Sequence, residues 1–180
     1  MRLGRSLASQ EPSRINQVSG QQPEPPLRKH PAHGVLFSDS KPTIVFVTVC
    51  TKDRGSWLAN SVVHEAVRKA WAEGDAWLVG RYVIMPDHIH LFAAPAQTSI
   101  ALDDWIQFWK AKFTKHVRKA GTTDIPDHPW QTDHWDTRLR TWQSYDQKWN
   151  YVRNNPVRHG LVARAEDWPY QGEMHSLTWD

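Results

Sequence analysis

The chain has 180 residues, of which 39% are hydrophobic, and 22 Lys and Arg against 19 Asp and Glu give it a net charge of +3 at pH 7. This length suits one folded domain with a core of useful size. No apolar run approaches a membrane span or an export segment, and the lone Cys50 excludes an intramolecular disulfide and favours a reducing cytoplasm.

The first forty residues differ in composition from the rest. Residues 10–13 and 21–26 are polar and proline-bearing, and no sustained hydrophobic period runs through the segment. Such a sequence cannot bury enough apolar surface to become ordered. We therefore predict a disordered or loosely ordered arm over residues 1–40 and a single domain over residues 41–180.

The domain opens with a predicted strand and helix. Residues 43–50 are β-branched and apolar, as in a buried strand. A helix follows, with Asn60 or Ser61 as its cap and Gly74 as its stop. Its apolar positions recur at helical spacing: Val63, Ala66, Val67, Ala70 and Trp71.

Two further strands and a second helix are predicted next. Residues 77–85 and 88–93 are the strands. The helix begins near Thr98 or Ser99 and ends at Gly121. Its predicted core residues are Leu102, Ile106, Trp109, Phe113 and Val117.

A fourth strand over residues 130–141 and a last helix complete the pattern. Ser144 and Gln147 have capping-box spacing, so the helix is predicted to begin there and to run toward Asn155, which precedes a proline. The order of elements predicts an α+β, ferredoxin-like antiparallel sheet with helices packed on one face, plus a C-terminal helix.

Two histidines lie two residues apart on the third predicted strand, after a predicted turn at Pro86 and Asp87. In a strand, His88 and His90 project from the same face, whereas Ile89 projects from the other. Two neutral imidazoles on one face can hold one divalent ion, and nitrogen ligands suit manganese, zinc or cobalt.

The last helix carries a second polar pair. Tyr151 and Asn155 are four residues apart, so their side chains share one helix face and their oxygens can reach the same point. Trp149 and Val152 are better placed for packing, which leaves Tyr151 free to face a site.

At these residues the sequence resembles a known family, the REP-associated tyrosine transposases, a branch of the single-tyrosine HUH endonucleases. The resemblance extends from about residue 41 to residue 168, and its blocks follow the order of the family. The blocks are residues 43–48, 82–91, 130–136 with Arg140, 151–162 and 167–170. His159 is a departure, because the family more often has a small residue there.

The resemblance implies a role for each matching residue. His88 and His90 match the metal-binding histidines, Tyr151 matches the nucleophile, and Asn155 matches the polar residue that completes the metal site. The implied activity is that of a metal-dependent single-stranded DNA endonuclease and strand transferase, a transposase. It would cleave at or near a repeated extragenic palindrome hairpin through a covalent 5′-phosphotyrosine. The implied ion is Mg²⁺ or Mn²⁺, the implied location is the cytoplasmic nucleoid, and the implied state is a monomer, with a dimer left open.

Basic residues predict where DNA would bind, and a pI near 9.1 agrees with such a partner. Phosphate contacts supply affinity, while base edges or hairpin shape supply sequence choice. Arg153, Arg158 and Lys148 are candidates for phosphate contacts or for a positive field beside Tyr151. The remaining candidates lie on the second helix and the fourth strand: Lys110, Lys112, Lys115, Arg118, Lys119, Arg138 and Arg140.

Two other functions compete with this interpretation. A histidine-triad nucleotide hydrolase needs a third histidine where Phe92 stands, and it does not need Tyr151. A non-catalytic DNA-binding protein descended from a transposase would keep the fold and lose the site, whereas His88, His90, Tyr151 and Asn155 are all present. Tyr145 is a rival nucleophile, but its i+4 position is held by Trp149 rather than by a polar residue.

Overall fold

The structure is a computed structural model and describes residues 43–97, 99–121 and 125–179. The predicted arm over residues 1–40 lies outside the described residues, as does Thr98. The elements are, in chain order, β1 (Ile44–Cys50), α1 (Ser61–Glu73), β2 (Trp77–Ile84), β3 (His88–Pro95), α2 (Leu102–Lys119), β4 (Trp135–Leu139), α3 (Trp142–Arg153), α4 (Asn155–Arg158) and β5 (Gln171–Glu173).

The strands form one antiparallel sheet in the order β4-β1-β3-β2-β5. The central strand β3 follows β2 after the turn at Pro86 and Asp87, which the Met85 N–H closes by donating to the His88 carbonyl. The predicted α+β antiparallel class is confirmed. In the described ranges, no helix is long and apolar enough to cross a membrane.

Helices α1 and α2 cover one face of the sheet. Their apolar stripes pack against Val45, Val47 and Val49 of β1 and against Ile89 and Leu91 of β3. All five core residues predicted for each helix are buried. Because side chains alternate along a strand, the intervening residues of β1 and β3 point to the opposite face.

Helix α3 packs on that opposite face. Its Tyr145 and Val152 contact the apolar cluster that contains Ile44, Phe46 and Phe92. The sheet therefore lies between two helical layers, and the final helix is not on the side of α1 and α2. His88 and His90 face the α3 side, since Ile89 and Leu91 are buried under α1 and α2.

Several predicted boundaries are wrong. Helix α2 begins at Leu102, with Ala101 at its N-cap, rather than near Ser99. Helix α3 begins at Trp142, because Thr141 forms the capping box with Ser144. The Thr141 hydroxyl accepts from the Ser144 N–H, and the Ser144 hydroxyl accepts from the Thr141 N–H.

The fourth strand is shorter than predicted, and a fifth strand was not predicted. Strand β4 starts at Trp135, and Trp130 forms only an isolated bridge with Thr51. Helix α3 ends at Arg153, so Asn155 begins α4 instead of continuing the same helix. Strand β5 has only three residues and pairs with the edge of β2.

Candidate functional site

A pocket of about 540 Å³ opens on the α3 side of the sheet and contains every predicted catalytic and metal-binding residue. Strands β1 and β3 form its floor, and helices α3 and α4 form its wall. Its lining residues are Phe46, Thr48, Cys50, Arg54, His88, His90, Trp135, Lys148, Tyr151, Asn155, Arg158 and His159.

The two histidines converge in this pocket. The Nε2 atoms of His88 and His90 are 3.1 Å apart, and the two rings meet edge to face. The ring of Phe46 stacks on His90 at 5.3 Å and limits its movement. Zinc–imidazole bonds are about 2.0–2.1 Å long, so one ion can reach both nitrogens from a position beside them.

The Nδ1 atoms of the two imidazoles have different partners. The Asp87 carboxylate lies 2.6 Å from His88 Nδ1, and the Thr48 hydroxyl lies 2.8 Å from His90 Nδ1. A carboxylate only accepts, so His88 carries its proton on Nδ1 and presents a lone pair at Nε2. His90 Nε2 therefore donates to that lone pair, and the Thr48 hydroxyl, which can donate or accept, donates to His90 Nδ1.

Both imidazoles are held neutral, as metal ligands must be. Burial lowers the pKa of His88, although the Asp87 carboxylate opposes that shift. Burial, followed by the neighbouring His88, lowers the pKa of His90 to about 3. The donor set therefore fits a divalent ion.

The third predicted ligand is an amide oxygen. Among the described residues, no group of three or more His, Cys, Asp or Glu side chains is arranged to hold a metal ion. Asn155 is buried in the wall of the pocket, and its Oδ1 accepts a hydrogen bond from Arg158. Asn155 is the first residue of α4, after the interruption at Asn154, and it lines the same pocket as the histidines and Tyr151.

Tyr151 lines the pocket with its side chain exposed. That side chain is 60% exposed, whereas Val152 beside it is fully buried. The Arg158 guanidinium lies 3.8 Å from the centre of the Tyr151 ring. Tyr145 is buried instead, and that burial raises the pKa of its phenol to about 12, which makes it a poor nucleophile.

A second groove of about 550 Å³ adjoins the pocket between β4 and α3. Lys148 and Tyr151 line both cavities, and Arg138 and Arg140 line the groove alone. These two predicted DNA contacts therefore lie beside the site. Arg153 is half-buried at the end of α3.

The basic residues of α2 lie on the other side of the sheet. Lys110 is buried, its ammonium donates to the Gln131 carbonyl, and burial lowers its pKa to about 8. We therefore remove Lys110 from the DNA-contact set. Lys112 pairs with Glu73 at 3.1 Å, Arg118 pairs with Asp127 at 3.3 Å, and Lys115 and Lys119 are exposed.

Sequence reasoning missed three residues that support the histidines: Thr48, Arg54 and Asp87. The Arg54 Nε atom lies 2.8 Å from Asp87 Oδ2. Adjacency to His88 could have pointed to Asp87. The other two depend on strand register and on a turn with positive φ, which no short pattern reveals.

The chain is similar in sequence to curated proteins and in fold to solved structures. The chain is 26% identical over 92 residues to the REP-associated tyrosine transposase of Escherichia coli, a match that spans 51% of this chain and 52% of the relative, about half of each. It is 25% identical over 140 residues to a putative REP-associated tyrosine transposase of Haemophilus influenzae, covering 73% of this chain and 80% of that one.

A similar fold is found in a solved structure, described as the REP-associated tyrosine transposase bound to a REP hairpin. It superposes with a TM-score of 0.61 at 24% identity and covers 73% of this chain and 76% of that one. No protein-family model matches the chain. The curated relatives and the shared fold confirm the resemblance inferred from the sequence: this chain is similar to the REP-associated tyrosine transposases.

Proposed function

We propose that this protein is a transposase-type, metal-dependent endonuclease and strand transferase that acts on single-stranded DNA. The observation that carries the proposal is the convergence of His88 Nε2 and His90 Nε2 at 3.1 Å in the pocket that also contains Tyr151. The similarity to REP-associated tyrosine transposases supports the same reaction class.

In this proposal, the residues of the pocket have separate roles in phosphodiester transfer. His88, His90 and Asn155 would hold Mg²⁺ or Mn²⁺, which supplies charge neutralisation at the scissile phosphate. The Tyr151 phenol loses its proton and its oxygen attacks phosphorus. The new O–P bond forms as the bond to the leaving 3′ oxygen breaks, and that oxygen takes up a proton. The resulting 5′-phosphotyrosine keeps the transferable bond, so a new 3′-hydroxyl can reverse the step.

Arg158 and Lys148 assist this reaction in our proposal. Arg158 lies over the Tyr151 ring and lines the pocket, and Lys148 lies where the pocket meets the groove. Positive charge at these positions attracts the scissile phosphate. The groove cations Arg138 and Arg140 then bind the phosphates of the strand that leads to Tyr151.

The proposed substrate is an unpaired strand beside a hairpin. One relative was solved bound to a REP hairpin, which motivates a repeated extragenic palindrome as the first substrate to test. The hairpin would bind outside the pocket, and the unpaired strand to be cut would bind in the pocket. We propose that the protein acts as a monomer and works at the nucleoid.

The test is a cleavage assay with labelled single-stranded DNA that carries a palindromic hairpin, in Mn²⁺ or Mg²⁺ and in excess chelator. We expect a covalent protein–DNA adduct that requires the ion. Tyr151→Phe should remove the adduct and slow cleavage by about 10³-fold or more, the scale of losing a nucleophile. Its exposed ring makes no core contact that the change would disturb.

Tyr145→Phe is the matched control, since it removes the other phenol of α3 and should leave the adduct intact. An adduct that persists in Tyr151→Phe would assign the nucleophile elsewhere. Salt-sensitive hairpin binding with no adduct in either ion would instead identify a non-catalytic DNA-binding protein.

A further inference from the structure

A chain of polar contacts extends from His88 away from the pocket floor. Asp87 Oδ1 accepts from His88 Nδ1 at 2.6 Å, and Asp87 Oδ2 accepts from Arg54 Nε at 2.8 Å. Arg54 Nη1 also donates to Cys50 Sγ at 2.8 Å. Both oxygens of the carboxylate are therefore engaged, one by the imidazole and one by the guanidinium.

The backbone around these side chains is fixed by three hydrogen bonds between two turns. The Thr51 N–H and its hydroxyl both donate to the Asp87 carbonyl, at 3.0 and 2.9 Å. The Leu58 N–H donates to the Pro86 carbonyl at 2.8 Å. The turn after β1 is thus attached to the turn before β3, and Arg54 is held opposite Asp87.

The turn that carries Arg54 has an unusual conformation. Asp53 and Arg54 have φ values of 54° and 56°, in the left-handed region that side chains rarely adopt. Strain of this kind persists where the surrounding structure enforces it, and it is concentrated at functional sites. Here it directs the guanidinium toward Asp87 and Cys50, inside the pocket lining.

We propose that Arg54 and Asp87 are positioning residues that hold His88 in a single tautomer. Arg54 keeps the carboxylate turned toward Nδ1, so the Nε2 lone pair of His88 always faces the ion site. His90 has no such carboxylate: its Nε2–H donates to His88 Nε2, and its proton must move to Nδ1 before it can bind an ion, which the Thr48 hydroxyl allows by accepting instead of donating. His88 is the preorganised ligand, and His90 adjusts when the ion binds. The ion site itself rests on the proposed function above.

The test measures two properties of the purified full-length protein, the affinity for Mn²⁺ by calorimetry and the His88 tautomer in metal-free protein by long-range proton–nitrogen NMR. Asp87→Ala should weaken Mn²⁺ binding about 10- to 100-fold, the usual effect of losing an outer-shell partner of a ligating histidine. It should also convert His88 to a mixture of tautomers.

Arg54→Gly separates positioning from folding. Glycine adopts the observed φ without strain, so the substitution should leave the melting temperature unchanged or raise it. We nevertheless expect weaker Mn²⁺ binding, by a smaller factor than in Asp87→Ala, and almost no further loss when both substitutions are combined.

Asp53→Gly is the matched control, because it relieves the same backbone strain at a residue that does not line the pocket. It should leave both the affinity and the tautomer unchanged. Wild-type affinity and an unaltered His88 tautomer in Arg54→Gly and Asp87→Ala would overturn the inference. If the wild type binds no Mn²⁺, the proposed function loses its metal, while the tautomer measurement still decides the roles of Arg54 and Asp87.

Discussion

The two faces of the central strand β3 perform different tasks with alternate residues. Toward α1 and α2, Ile89 and Leu91 are fully buried in a core rich in tryptophan. Toward α3, His88 and His90 line an open pocket. Both sets belong to one strand. The packing of Ile89 and Leu91 in the core therefore fixes the strand and, with it, the positions of His88 and His90 in the pocket.

The difference between the faces also explains the tryptophan content. Four tryptophans are at most 2% exposed and lie between the sheet and helices α1 and α2: Trp71, Trp77, Trp105 and Trp109. They are core residues and do not offer a surface on which bases could stack. Trp135 is the tryptophan of the pocket lining. These four tryptophans therefore stabilise the scaffold on which the site is built.

The largest expected effects come from replacing two adjacent residues of β3, one on each face of the sheet. His90→Ala should reduce Mn²⁺ affinity by more than the 10- to 100-fold loss expected for an outer-shell residue, because a ligand itself is removed. Ile89→Ala should instead cost about 2–5 kcal/mol of unfolding free energy by opening a cavity under the helices. Calorimetry measures the Mn²⁺ affinity of both variants, and urea unfolding measures their free energies of unfolding.

Both variants must be measured in both assays. Below its unfolding transition, Ile89→Ala should bind Mn²⁺ as the wild type does, since its side chain points away from the pocket. A large loss of affinity in folded Ile89→Ala would show that the two faces are not independent.

The next effect distinguishes the two basic surfaces. The groove residues Arg138, Arg140 and Lys148 lie beside Tyr151, whereas Lys115 and Lys119 of α2 lie across the sheet. Changing any one of these groove cations to Gln should make the slope of log affinity against log salt concentration less steep by about 0.7. That is the value for one phosphate contact on a single strand. Fluorescence anisotropy at several salt concentrations measures that slope.

Lys115→Gln and Lys119→Gln provide the matched comparison, because they remove the same charge from the other surface. We expect little change in their salt dependence on a short unpaired strand. A larger change in these variants than in the groove variants would move the strand path to α2, as the sequence alone suggested.

A smaller effect concerns the two tyrosines of α3 at alkaline pH. Burial raises the pKa of Tyr145 to about 12, so the folded protein keeps a proton that the unfolded chain, with an ordinary phenol pKa near 10, releases. Stability should therefore fall as the pH rises from 10 to 12, by at most about 2 kcal/mol from this residue.

Tyr145→Phe should flatten that decline, and urea unfolding at pH 9, 10 and 11 measures it. Tyr151→Phe is the control, because it removes the exposed phenol of the same helix and leaves the buried one in place. Equal declines in both variants would place the alkaline sensitivity in other groups.

The types of the main elements were predictable because the spacing of hydrophobic residues is a local property of the sequence. The shared face of His88 and His90 was predictable because side chains alternate along a strand. The face occupied by α3 was not, since local sequence does not say which side of a sheet a helix covers. Lys110 illustrates the same limit. In the sequence it is one of several basic residues along α2, but in the fold it is buried and its ammonium donates a hydrogen bond to the Gln131 carbonyl.

Asn155 was placed in the right pocket for an incomplete reason. The i, i+4 argument assumed one helix, whereas α3 ends at Arg153 and α4 begins at Asn155. The proline after Asn155 does interrupt the first helix, but it then occupies the second position of the next one, where its missing N–H costs nothing. Arg54 was beyond prediction because its role depends on a left-handed turn and on register with β3.

The smallest expected effect tests the start of α3, where the predicted N-cap, Ser144, is three residues after the observed one, Thr141. Thr141→Ala removes the hydroxyl that accepts from the Ser144 N–H and should cost about 1 kcal/mol of unfolding free energy. Gln143→Ala, at an exposed position of the same first turn, should change it by less than about 0.5 kcal/mol. Urea unfolding compares the two, and amide exchange should show faster opening of the first turn in Thr141→Ala alone. If the variants are equally stable, the capping box contributes nothing, and the packing of Tyr145 against Phe92 alone determines where the helix begins.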